Sequence, residues 1–273
     1  MSKDLQTAFD LIAIDCDGTI LDSGKNVAPG AQAAVAEARA KGVEVTLISG
    51  RNYGSMKFIV EEVGITAPII GGGGAFIYDV RSEKVIEEHP LPLRETRELV
   101  RLCREEEVIL VLEYIGDAMQ ERNFPHQHRP HPKHGYQRHI VSDLLKEMNE
   151  PPVKAMVIGE GHNLTKVYDR ICQLGLFDSL SYSSSNSIDI VPTGVNKGSS
   201  LTTLARHLSI PLQRVAAIGD WLNDLDMFRI SGLSIAMGNA PEEVKAAADL
   251  VAPINDRSGA AWAIREILKR GQA

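Results

Sequence analysis

Aromatic residues make up only 5% of this 273-residue chain, cysteines number three, and basic residues are outnumbered, 29 Lys plus Arg against 36 Asp plus Glu. Each shortage excludes something. A net charge of −7 lacks the positive footprint of a protein that binds nucleic acid or an anionic membrane. No stretch reaches the about 18 consecutive apolar residues that a membrane helix needs. Met1 to Asp10 shows no basic patch leading into an apolar run, so no secretory signal is expected. Cys16, Cys103 and Cys172 are odd in number and form no C-x-x-C pair, which suits reduced thiols in a cytoplasm better than a disulfide framework. A C-x5-R phosphatase nucleophile is excluded too, because Asp22 stands where the arginine would be.

What is present is apolar residue, 44% of the chain, enough for a sizeable core and too much for disorder. At about 150 residues per domain, the length predicts two domains or one core with a large insertion. Phe9 to Ile14 is a short, largely apolar run without alternation, the pattern of a strand buried on both faces. A helix is predicted from Pro29 to Ala40, a strand from Val43 to Ile48, and a second helix through Val63. The same alternation returns from Lys197 to Arg270, so an α/β fold with a doubly wound parallel sheet is expected. Between these halves, helical patterns at 94–107, 141–148 and 164–174 mix with strands near 108–113, 153–158 and 187–191. The expected division is therefore a discontinuous core, residues 1–87 and 191–273, and an inserted α+β domain, residues 88–190.

Three strand ends carry the chemistry. Asp15-Cys16-Asp17-Gly18-Thr19 follows the first buried strand. In an extended segment residues i and i+2 point the same way, so Asp15 and Asp17 are expected to aim at one point. Two carboxylates so placed call for a proton or a hard cation such as Mg2+ between them. Ser49-Gly50 ends the next strand, and Gly219-Asp220-Trp221-Leu222-Asn223-Asp224 ends a later one. Helix capping explains one Asp or Asn in that last segment, not Asp220, Asn223 and Asp224 together. In a doubly wound sheet, ligands bind at such strand ends. Lys197, in a loop entering a helix, supplies a point charge suited to a phosphate oxygen.

With these motifs in order, the sequence resembles the haloacid dehalogenase superfamily of phosphatases, and within it the Cof-type members. Those share the D-x-D-G-T strand end, a Ser or Thr ending the next strand, a G-x-x-K-G turn and a G-D-x-x-N-D strand end. Here they are Asp15 to Thr19, Ser49, Gly194 to Gly198 and Gly219 to Asp224. The run Ile235 to Ala240 is also similar to that family. The resemblance implies that Asp15 attacks phosphorus to form an aspartyl-phosphate and that Asp17 serves as general acid and base. It implies Mg2+ on Asp15, Asp17 (through its carbonyl) and Asp220, with Asp224 completing or supporting the shell. It also implies that Ser49, Gly50, Lys197 and Asn223, with the Cys16 N–H, hold the phosphoryl oxygens. The expected activity is hydrolysis of a small phosphorylated metabolite by a monomer or homodimer. A phosphotransferase or mutase on the same scaffold, or a non-catalytic phosphate-binding protein, are the alternatives. Two departures stand out: Cys16 where the family more often has a hydrophobic residue such as Leu, and Gly73 where it usually has Asn.

The insertion carries one further feature. Five of the eight histidines fall between His126 and His139, in a segment from Arg122 to Ser142 with four basic residues and no acid. It reads as a loop that selects an anionic substrate through Arg129 and His131, as a transition-metal site, or as a proline-stiffened surface loop.

Overall fold

The computed structural model describes residues 9–123 and 136–270. Arg129 and His131 lie outside the described residues. In chain order the first elements are β1 (Leu11–Asp15), α1 (Ala31–Ala40), β2 (Glu44–Ile48), α2 (Tyr53–Val63), β3 (Ile69–Gly71), β4 (Phe76–Asp79) and β5 (Lys84–Glu88). Next come α3 (Leu93–Glu105), β6 (Ile109–Glu113), β7 (Ala118–Gln120), β8 (Arg138–Ile140), α4 (Leu144–Glu147), β9 (Lys154–Ile158), α5 (Gly161–Leu174), β10 (Leu180–Ser184) and β11 (Ser187–Ile190). The chain closes with α6 (Lys197–His207), β12 (Val215–Gly219), α7 (Leu225–Ile230), β13 (Leu233–Ala236), α8 (Glu242–Ala247), β14 (Leu250–Val251) and α9 (Gly259–Lys269).

Two compact units result. One comprises Met1–Gly50, Lys57–Ile86 and Asn196–Ala273, the other Arg51–Met56 and Glu87–Val195. A sequence division at 87/88 puts all of 1–87 in the first unit, whereas Arg51–Met56 packs with the second. Hydrogen bonds give the reason: Tyr53 N donates to Ile115 O (2.7 Å), and Asn52 Nδ2 to Asp117 O (3.0 Å).

The first unit is built on an eight-stranded sheet in the order β14-β13-β12-β1-β2-β3-β4-β5. Its pairs from β14 through β3 are parallel, and β4 runs antiparallel to β3. β1 is central, fully buried and flanked by β2 and β12, so its carboxyl end lies where the order of connection reverses. Leu11, Ala13, Val215, Ala217 and Leu201 are among the side chains of one core layer. The four-glycine run makes the turn from β3 to β4. There the backbone N–H of Gly73 reaches Ser49 O at 2.9 Å, joining the turn to the end of β2.

The second unit is a six-stranded sheet ordered β10-β11-β9-β6-β7-β8, antiparallel except for β7 with β8. Helices α3, α4 and α5 pack on one face of it, against Leu110, Leu112, Ala155, Val157 and Ile188. No helix among the described residues is long and apolar enough to cross a membrane.

Candidate active site

Asp15 is the last residue of β1 and only 6% exposed. The chain then leaves the strand in a tight turn, Cys16–Ile20, in which Gly18 has a φ of +79°. An added Cβ at Gly18 would stand 2.1 Å from Asp220 Oδ2, so both the conformation and the close approach require glycine. This turn overrides the extended geometry expected of Asp15-Cys16-Asp17. Asp15 points into a buried acidic cluster, while Asp17, with its side chain 38% exposed, pairs with Lys25 Nζ at 2.8 Å. Lys25 sits in a short hairpin closed by the Leu21–Val27 bridge.

Asp220 and Asp224 arrive from the end of β12, the strand paired with β1. Asp224 Oδ2 accepts the N–H groups of Asp220 (2.8 Å) and Trp221 (2.9 Å), folding the loop back on itself. Gly219 makes this possible, since a Cβ there would lie 2.5 Å from Asp224 Cγ. Asp220 Oδ1 accepts from Thr19 Oγ1 (3.3 Å), and Asp220 Oδ2 from Asn239 Nδ2 (3.1 Å). Asn239 also donates to Gly18 O (2.9 Å), tying the two acidic loops together.

Lys197 is the first residue of α6, whose start is fixed by a capping box between Asn196 and Ser199. A cation at a helix N-terminus opposes the helix dipole, so its position needs another cause. That cause is two carboxylates: Lys197 Nζ donates to Asp15 Oδ1 (2.6 Å) and Asp224 Oδ1 (2.5 Å). Burial alone would lower the lysine's pKa, but Asp15 and Asp224 outweigh it and hold the ammonium above its ordinary range.

Burial raises the Asp15 pKa well above the usual carboxylate value; Lys197 opposes the shift, and Asp224 and Asp220 add to it. Asp220 is pushed up to about 6 by burial and by Asp224. Oxygens of Asp15, Asp220 and Asp224 all lie within 4.8 Å of one another. One ammonium cannot balance three carboxylates, and hard oxygen donors around this surplus of negative charge fit a divalent cation. The donors do not contribute equally. Asp224 already accepts three hydrogen bonds, so it supports the loop and Lys197, while Asp15 and Asp220 keep more acceptor capacity.

A pH dependence follows. A raised folded pKa favours the protonated folded state. Asp220 therefore contributes stability that is present below pH 3.8 and lost as pH rises through about 6. A cation must displace that proton. In thermal-shift titrations, Mg2+ is expected to bind roughly tenfold more weakly at pH 5 than at pH 7.5. Equal affinity at both values would contradict the assignment of Asp220.

The other expected residues are placed as follows. Ser49 is buried at the end of β2, Gly50 is partly exposed beside it, Cys16 is fully buried, and Asn223 is exposed in the short turn before α7. Sequence reading did not assign Thr19, Lys25 or Asn239 to the site. Thr19 and Asn239 stand inside motifs already singled out, whereas Lys25 has no local signal because its contact depends on the hairpin.

Comparison with known proteins gives three kinds of match. A family model described as haloacid dehalogenase-like hydrolase matches residues 12–264. Among curated proteins, the chain is 25% identical to 5-amino-6-(5-phospho-D-ribitylamino)uracil phosphatase YitU of Bacillus subtilis, covering 96% of this chain and 98% of that one. It is 27% identical to the pyridoxal phosphate phosphatase YbhA of Escherichia coli, covering 88% and 92%. Among solved structures, a haloacid dehalogenase-like hydrolase from Bacteroides thetaiotaomicron superposes with a TM-score of 0.87 at 26% identity, covering 95% and 99%.

Proposed function

The chain belongs to the haloacid dehalogenase-like hydrolase family and is a phosphoric monoester hydrolase; we propose that it uses Mg2+ and an aspartyl-phosphate on Asp15 to hydrolyse small phosphorylated metabolites. The observation that carries this reading is the buried Asp15 at the end of β1, held by Lys197 beside two further carboxylates. An acid buried among acids is unfavourable for folding and is explained by chemistry that needs it there.

In the first step Asp15 attacks phosphorus in line with the ester oxygen, and the P–O bond to the leaving group breaks as the acyl-phosphate bond forms. Asp17 gives its proton to the departing oxygen. In the second step Asp17 takes a proton from water, whose oxygen attacks phosphorus, freeing phosphate and restoring Asp15. Splitting the reaction this way lets one carboxylate serve as nucleophile and the other as acid and then base. The Lys197 ammonium, the Ser49 hydroxyl, the Asn223 amide and the N–H groups of Cys16 and Gly50 hold the phosphoryl oxygens as charge shifts. A Mg2+ held by Asp15, Asp220 and the Asp17 carbonyl would supply positive charge that lets the phosphate approach the carboxylates. Asp224 orients Lys197. The second unit, including the segment with Arg129 and His131, selects the leaving group.

The test is phosphate release from a broad panel of metabolite phosphates, with Mg2+ and then with a chelator. Hydrolysis is expected to fall to background on chelation and return with Mg2+, with a solvent oxygen in the released phosphate. Metal-independent release would refute the cation's part. A second sugar phosphate formed in place of inorganic phosphate would make the protein a phosphotransferase.

A further inference from the structure

Asp17 stands outside the buried acidic cluster and is held by a lysine eight residues on, whose Nζ donates to Asp17 Oδ1 at 2.8 Å. The Lys25 and Asp17 side chains are 51% and 38% exposed, and an ion pair so open to solvent adds little to stability. Two features of the backbone nevertheless commit Lys25 to this place.

The first is its conformation. Lys25 has a φ of +62°, the left-handed region that Gly or Asn adopts with least strain. Gly24 and Asn26 flank it, yet this position falls to the lysine. A residue kept there against its backbone preference is explained by what its side chain does.

The second is the way the hairpin is clamped. Within it, Asn26 N donates to Asp22 Oδ1 (2.9 Å) and Lys25 N to Asp22 O (3.0 Å). From the turn before α9, Asp256 Oδ1 accepts the N–H of Ser23 (2.7 Å), and Asn255 Nδ2 donates to Leu21 O (2.9 Å). Asn255 N donates in turn to Asn239 Oδ1 (3.1 Å), the side chain that already holds Gly18 O and Asp220. One hydrogen-bonded chain therefore joins the Lys25 hairpin to both acidic loops, all of it inside the first unit. A hairpin fixed at its base presents the ammonium at a set point, and the ammonium narrows the positions open to the Asp17 carboxylate.

We propose that Lys25 is a positioning residue for Asp17, holding its carboxyl group where protons pass to the leaving oxygen and from water. This rests on the acid and base role of Asp17 proposed above. Asp17 leaves the first step as a carboxylate and enters the second as one, and the ammonium keeps it in place between them. Misplacing a proton donor by about 1 Å costs on the order of a hundredfold in rate, so a contact of little weight in stability carries much in turnover.

The test on the full chain uses leaving groups that differ in their need for a proton. The nitrophenolate of p-nitrophenyl phosphate departs as an anion, whereas an alkoxide must be protonated as it leaves. kcat/KM is measured with Mg2+ for that ester and for the fastest alkyl ester in the metabolite panel. Lys25→Met is expected to lower the alkyl-to-aryl ratio about tenfold or more. Asp256→Ala, which loosens the hairpin without touching Asp17, is expected to lower it in the same direction by a smaller factor. In an Asp17→Asn background, Lys25→Met is expected to change the ratio less than about twofold, because nothing is left to position. The ratio does not depend on how much enzyme is folded, so a loss of stability cannot imitate the effect. An equal loss on both esters, an unchanged ratio, or a full Lys25→Met effect in the Asp17→Asn background would overturn the proposal. If the wild-type chain hydrolyses neither ester, the phosphatase reading itself fails, and the positioning role falls with it.

Discussion

Asp15→Asn is expected to lower kcat by about four orders of magnitude or more and to abolish any phosphate adduct on the peptide carrying residue 15. The amide is nearly isosteric with the carboxylate, so the turn at Gly18 and the loop after β12 keep their shape. What is lost is the proposed nucleophile, because the amide has no anionic oxygen to form an acyl-phosphate. Stability is expected to move the other way. Burial raises the Asp15 pKa in the folded state, which means the ionised carboxylate destabilises the metal-free fold at neutral pH. Asn removes that charge, and the metal-free variant should melt at or above the wild-type temperature. Acid-quench mass spectrometry of the substrate-treated enzyme and a calorimetric scan read the two effects separately. A variant retaining a tenth of the wild-type rate would exclude Asp15 as the nucleophile.

Lys197→Met is expected to be the most destabilising single change at the site, costing about 3–5 kcal/mol in the metal-free protein at neutral pH. Lys197 is 2% exposed and is the cation that bridges Asp15 and Asp224. Removing it leaves three buried carboxylates without the ammonium that pairs with two of them. The deficit should shrink as pH falls through about 6, where Asp220 takes up its proton, and should shrink again with saturating Mg2+. Hydrolysis should fall as well if, as proposed, the ammonium holds a phosphoryl oxygen. Urea denaturation at pH 7.5 and pH 5, with and without Mg2+, gives all four stabilities. Wild-type stability of the metal-free variant at pH 7.5 would mean that the carboxylates do not depend on this lysine.

The α/β alternation and the three acidic or polar strand ends were legible because each rests on a short-range pattern. An Asp directly after a run such as Phe9 to Ile14 has few structural explanations, and in a doubly wound parallel sheet ligands bind at such strand ends. Other elements carry too little local signal. β7 and β8 are three residues each, too short for a period of two to register. β10 is rich in serine, which hides it among turns. The helix expected over 141–148 contracts to Leu144–Glu147 because Asp143 caps it, its side chain accepting from Leu145 N. Within the site, residue identity was easier to read than side-chain direction. The i, i+2 rule fails at Asp17 because the strand ends at Asp15 and the turn begins at Cys16, and only the folded hairpin shows Lys25 meeting it. The Glu113–Lys154 pairing in the second sheet escaped for a similar reason. Glu113 and Lys154 stand at opposite ends of their apolar strands and become neighbours only through antiparallel pairing.

The position of β1 also governs how the protein is made. Synthesis delivers β1 and β2 first, yet the other neighbour of β1 begins at Val215, some 200 residues later. Until then one edge of a strand that is apolar up to Asp15 has no pairing partner, the condition that favours aggregation or chaperone capture of a nascent chain. The second unit, almost continuous from Glu87 to Val195, has all six of its strands made before β12 leaves the ribosome. Ribosome-bound chains stopped just before Val215 would therefore carry a formed insertion beside an unfinished sheet.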